Sequence, residues 1–120
     1  MISQEDIDAF KLYNLEDLTL ESYQNDAAKT AIYDEAYGIV YPALGWVGEA
    51  GEVANKVKKM LRDDNLDRDG LKGEIGDCLW YLAALCRDLN LDLADVAQSN
   101  LDKLNSRMKR GTIQGSGDNR

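Results

Sequence analysis

The sequence predicts an all-α fold, a bundle of four to five helices around a central antiparallel helix hairpin. Three observations predict it. A single proline, Pro42, interrupts 120 residues, so the backbone meets few obligatory stops. Strand-like alternation of apolar and polar side chains is scarce. Capping residues stand where helical segments would begin: Ser3, Thr19, Asp67 or Asp69, and Asp92.

Each element follows from these signals. Ser3, with acids behind it, caps a short first helix. A second helix starts after Thr19 and runs through YQNDAAKTA to about Ala31. The aromatic stretch Ile32 to Tyr41 reads as irregular, closing in an extended turn before Pro42. Pro42 suits the first turn of a long helix, PALGWVGEAGEVANKVKKML. A polar run from Arg62 to Gly70 ends it, and Asp67 or Asp69 caps the next helix, LKGEIGDCLWYLAALCRDL, to near Asn90. Asp92 caps LADVAQSNLDKLNSRMKR, and Gly111 closes it. The polar, glycine-rich TIQGSGDNR is a tail, mobile unless something holds it. Residues 1–18 are thus expected to be an N-terminal extension, 19–111 the domain and 112–120 the tail.

The formal net charge of −8 argues against a nucleic-acid polymer or an anionic membrane as partner, since both are polyanions. MISQEDIDAF lacks the basic-then-apolar pattern of a signal peptide. The longest apolar run, Cys78 to Cys86, is far too short to cross a membrane. Its two cysteines stand about 12 Å apart along a helix and cannot pair. They read as small apolar residues of a cytoplasmic protein. That run is apolar nearly all round, which predicts a central helix.

Two boxes carry the chemistry: Gly48-Glu49-Ala50-Gly51-Glu52 and Gly73-Glu74-Ile75-Gly76-Asp77. Each spends two helical positions on glycine, at about 1 kcal/mol apiece, and sets two carboxylates three residues apart on one face, where they repel. In a hairpin with a symmetric loop, Glu52 and Asp77 lie level, flanked within about a turn by Glu49 and Glu74; an asymmetric loop shifts this by a turn either way. Four converging acids in a partly dry site require a cation. Oxygen ligands without histidine or thiolate favour Mg²⁺, with Mn²⁺ as substitute. A di-iron bundle needs Glu-x-x-His, and the chain has no histidine. Gly48, Gly51, Gly73 and Gly76 are then expected to provide clearance between the two helices. The alternative is a solvated acidic face on a helical interaction protein without catalysis. An EF-hand-like run, Asn65 to Gly70, places Gly76 where the bidentate glutamate belongs and reads as a capping linker.

Lys56 and Lys59 continue the face of Glu49 and Glu52, as phosphate ligands or as ordinary i,i+4 partners. Asn100, Lys103 and Arg107 form a second stripe, suited either to phosphate or to the helix dipole. Trp46 and Tyr81 flank the acids and fit either a stacked base or the core, whereas Trp80 reads as core. Gln24 is a candidate for reading a base edge.

GEAGEVANKVKK, EIGDCLWYLAALC and NLDKLNSRMKRG resemble the MazG-like all-α nucleoside triphosphate pyrophosphohydrolases, over roughly Tyr23 to the C-terminus. Glu49, Glu52, Glu74 and Asp77 match the family's ExxE and ExxD position by position. Gly48 stands where many members carry a further glutamate, as in the dCTP pyrophosphatase-like branch. The resemblance implies Mg²⁺-dependent hydrolysis of a (deoxy)nucleoside triphosphate to monophosphate and pyrophosphate. The four acids would hold the metal, with Glu49 the first choice of general base, and Lys56, Lys103 and Arg107 would face the triphosphate. It also implies a homodimer or homotetramer that completes the bundle. Phosphoribosyl-ATP pyrophosphohydrolases and dimeric dUTPases look similar and leave the substrate open.

Overall fold

Ser3 and Thr19 open the first two helices as their side chains allow. The computed structural model describes residues 1–120, and in it helix α1 spans Gln4–Ala9 and α2 spans Leu20–Ala28. Ser3 Oγ accepts from the Asp6 amide at 3.0 Å while Asp6 accepts from the Ser3 amide at 3.1 Å. Thr19 and Ser22 exchange the same pair of bonds, both at 3.0 Å. These reciprocal caps satisfy donors that a helix start otherwise leaves unpaired.

A short 3₁₀ turn, Glu35–Tyr37, leads into α3, Val40–Asp63. The stretch expected to be irregular is so as far as Ile39, but the extended turn expected before Pro42 is absent. Val40 and Tyr41 are already helical, and Pro42 sits in the first turn of α3, where its missing N–H costs no bond, fully buried. The junction is held from α4, Arg68–Asp88. Tyr33 donates to Asp88 Oδ2 at 2.5 Å, the Ile39 amide donates to the same oxygen at 3.3 Å, and Arg87 donates to the Tyr33 hydroxyl at 2.9 Å. Burial and the bond to Asp88 push the Tyr33 phenol up to about 12. These bonds hold Ile39 at φ 69°, a conformation that β-branched residues adopt only under constraint.

Asp67, not Asp69, caps α4, accepting from the Gly70 amide at 2.9 Å. Helix α5 is Leu93–Lys109. Asp92 stands at its N-cap position but makes no side-chain cap bond, contrary to expectation. Gln24 caps it instead from α2: its Oε1 accepts from the Leu93 amide at 2.8 Å, and its Nε2 donates to the Leu91 carbonyl at 2.9 Å.

Helices α3 and α4 pair as the predicted antiparallel hairpin, and α2 and α5 pack on α4. The small core lies where these three meet, with Ala83, Cys86 and Leu93 buried and Tyr23 and Leu79 against them. The architecture is all-α, as predicted, and no helix is long and apolar enough to cross a membrane. Only 8 of 120 residues are buried. The radius of gyration is 17.3 Å, against about 14 Å for a compact chain of this length. Val40, Leu44, Val47 and Leu61 of α3 and Leu101, Leu104 and Met108 of α5 are exposed.

Candidate metal centre

The register of the hairpin is set where Gly45 meets Tyr81. A Cβ on Gly45 would lie 2.1 Å from the Tyr81 ring, so only glycine lets α3 come this close. Tyr81 is fixed in turn, edge-on to Trp80 at 5.0 Å and tilted against Tyr41 at 6.3 Å. One turn from this contact along each helix come Glu49 and Asp77, with Glu74 a further turn along α4. Carboxylate oxygens of Glu49, Glu74 and Asp77 lie within 4.8 Å of one another.

Glu49 and Glu74 are half-buried and Asp77 is exposed. Burial, a hydrogen bond to Glu74 and the charges of Asp77, Glu74 and Glu52 raise the Glu49 pKa above the usual carboxylate range. The surroundings feel the same field. Burial first, then Asp77, pushes the Tyr23 phenol up, and burial followed by Glu49, Asp77 and Glu74 does the same to the Cys78 thiol. Lys56 is the nearby cation, 3.8 Å from Glu74 and 3.6 Å from Asp67. Hard oxygen donors whose mutual repulsion is incompletely relieved by one lysine fit a divalent cation such as Mg²⁺ or Mn²⁺.

Three expectations are corrected. Glu52 is exposed and stands outside the three-acid cluster. The Gly45–Tyr81 contact shifts the hairpin by about a turn from the symmetric register, within the range an asymmetric loop allows, so Glu49 faces Asp77. The box glycines give no clearance: a Cβ on Gly48, Gly51, Gly73 or Gly76 would meet nothing within 4 Å. They lie on helix faces turned away from the hairpin contact. Gln24 is not free to read a base, because both ends of its amide are engaged in capping α5.

Lys59 and Trp46 are exposed on α3, the latter open to solvent beside the acids, and Tyr81 is half-buried. Asn100 is exposed on α5, whereas Lys103 and Arg107 both contact Asp118 in the tail. Gly45 and Cys78 are the neighbours of the site that the box pattern did not reveal. The run LGWVGE held a third glycine one turn before Glu49, and that spacing was the available signal.

A helix hairpin that brings three carboxylates to one point defines the class: an all-α protein with a carboxylate cluster able to hold a metal ion. The chain belongs to the MazG family: the model of the MazG nucleotide pyrophosphohydrolase domain matches residues 43–112, a span that holds all four acids, α4 and α5. The chain is also similar to the Gene 37 protein of Mycobacterium phage L5. The two are 50% identical over 112 residues, which cover 84% of this chain and 98% of the phage protein. No solved structure matches. Neither match singles out the dCTP pyrophosphatase-like branch.

Proposed function

We propose that the protein hydrolyses (deoxy)nucleoside triphosphates to nucleoside monophosphate and pyrophosphate with Mg²⁺, or Mn²⁺ in its place. The observation that carries this is the convergence of Glu49, Glu74 and Asp77 within a MazG nucleotide pyrophosphohydrolase domain. These three would hold the ion. A divalent cation held there would supply Lewis acidity for phosphoryl transfer and make an attacking water easier to deprotonate. Glu52, exposed one turn from Glu49 and outside the cluster, keeps both oxygens free to accept that water's proton. Lys56 offsets charge beside Glu74, and Lys103 and Arg107 of α5 neutralise the triphosphate. Trp46, exposed near the acids, and Tyr81 offer aromatic faces to a base.

The test is a panel of nucleoside and deoxynucleoside triphosphates, with dUTP and phosphoribosyl-ATP included, incubated with Mg²⁺. The expected products are monophosphate and pyrophosphate in equal amounts. Release of orthophosphate alone, or no turnover with either metal, would contradict the reading.

We also propose that the chain works as a homodimer or homotetramer. Its accessible surface is 9095 Å², against about 6,500 Å² for a folded monomer of this mass. The excess is what closing apolar faces on α3 and α5 would remove, and a standard interface takes about 800 Å² per partner. Sedimentation equilibrium should return a multiple of 13.4 kDa, and a monomer at micromolar concentration would refute this. The domain on this reading is 19–111, with 1–18 an extension and 112–120 a tail: α2 lies before the family match yet packs on α4 and α5. The two free cysteines suit the cytoplasm, where thiols stay reduced.

A further inference from the structure

The tail does not hang free. Positive φ at Gly111 (71°), Gly115 (140°) and Gly117 (82°) turns it back on α5, conformations that glycine adopts without strain. Arg120 ties the loop to itself, donating to the carbonyls of Gly117 at 2.6 Å, Ile113 at 3.2 Å and Thr112 at 3.3 Å. Arg110 donates to the Arg120 carbonyl at 2.8 Å. The closed loop delivers Asp118 to the two cations of the α5 stripe. Its Oδ1 lies 3.3 Å from Lys103 Nζ and 3.3 Å from Arg107 Nη2, and its carbonyl accepts from Arg107 Nη2 at 2.8 Å.

Arg107 is only 5% exposed, and its Nε has no hydrogen-bond partner. The occupant is therefore incomplete. A guanidinium is built for two parallel bonds to a carboxylate or phosphate, and Asp118 engages one nitrogen only. The Asp118 side chain itself is 83% exposed, so a competing anion can reach its contact with Lys103 and Arg107 from solvent.

We propose that Asp118 is a built-in competitor for the phosphate groups that bind Lys103 and Arg107, and so sets the affinity of the site for its substrate. This rests on the reading of those two residues as phosphate ligands, but its test does not require turnover. The structure supplies a carboxylate in the place of a phosphate oxygen. Asp118 lies beyond the family match at 43–112.

The experiment is calorimetric titration of inorganic tripolyphosphate, without metal and at low salt, into the wild type, Asp118→Asn, Asp118→Asn/Lys103→Ala and Asp102→Asn. Removing an exposed competing charge should tighten binding about two- to fivefold in Asp118→Asn. The double variant should lose that gain. Asp102→Asn, the same charge change without the contact, should show none. Unchanged or weaker binding in Asp118→Asn, a gain that survives loss of Lys103, or an equal gain in Asp102→Asn would each overturn the proposal. In the enzymatic assay Asp118→Asn should lower KM and leave kcat in place. If no nucleotide is turned over by either protein, the proposed activity fails, and the tripolyphosphate titration still decides the role of Asp118.

Discussion

Asp77→Asn and Glu74→Gln are each expected to lower turnover by more than about a hundredfold, because removing even the outer support of a metal ligand costs 10- to 100-fold. The same variants should lose no stability in the absence of metal. Glu49, Glu74 and Asp77 crowd their oxygens within 4.8 Å, and the raised pKa of Glu49 reflects burial and that crowding. Neutralising one acid relieves repulsion. The expected signature is thus a split: a melting temperature equal to or above wild type without metal, together with loss of the upward shift that Mn²⁺ or Mg²⁺ gives the wild type. A variant that melts lower and still binds metal would make these acids structural.

Gly45→Ala is expected to destabilise the fold by about 1–3 kcal/mol, the usual cost of overpacking a filled contact. The new Cβ would sit 2.1 Å from a ring carbon of Tyr81, and Trp80 and Tyr41 hold that ring on its other sides. Helix propensity favours alanine by about 1 kcal/mol, so the clash must exceed that gain to show. Denaturant unfolding measures it, and in a double-mutant cycle Gly45→Ala should cost less on a Tyr81→Ala background than in the wild type. Activity should fall as well, since this contact sets Glu49 opposite Asp77. Gly51→Ala is the comparison. Its Cβ meets nothing, so the isolated chain should gain stability from the better helix former. A loss in the assembled protein would locate that face inside the interface.

Much of this arrangement was legible in the residues. Ser3, Thr19 and Asp67 announce their helices because a cap is a local bond, decided within three residues. The acid boxes were legible because i,i+3 spacing fixes a shared face whatever the tertiary fold. Register was not, because it depends on a contact between Gly45 and Tyr81 that neither helix encodes alone. A symmetric loop would have put Glu52 level with Asp77; the close approach at Gly45 puts Glu49 there. The box glycines were misread for the same reason: their cost is local and visible, whereas which face meets a neighbour is not. Gln24 shows the limit most plainly, since it caps a helix that begins 69 residues later, a bond no spacing rule could supply. The tail was read as mobile unless held, and Arg107, Lys103 and Arg120 hold it.

The central claim is that Glu49, Glu74 and Asp77 hold a divalent cation with which the protein cleaves a nucleoside triphosphate. The most direct test is pyrophosphate release from the best substrate of the panel, by wild type and Asp77→Asn, with saturating Mg²⁺ and after chelation. The account predicts release by the wild type with Mg²⁺ and by neither protein otherwise. Equal release after chelation, or by Asp77→Asn, would contradict it.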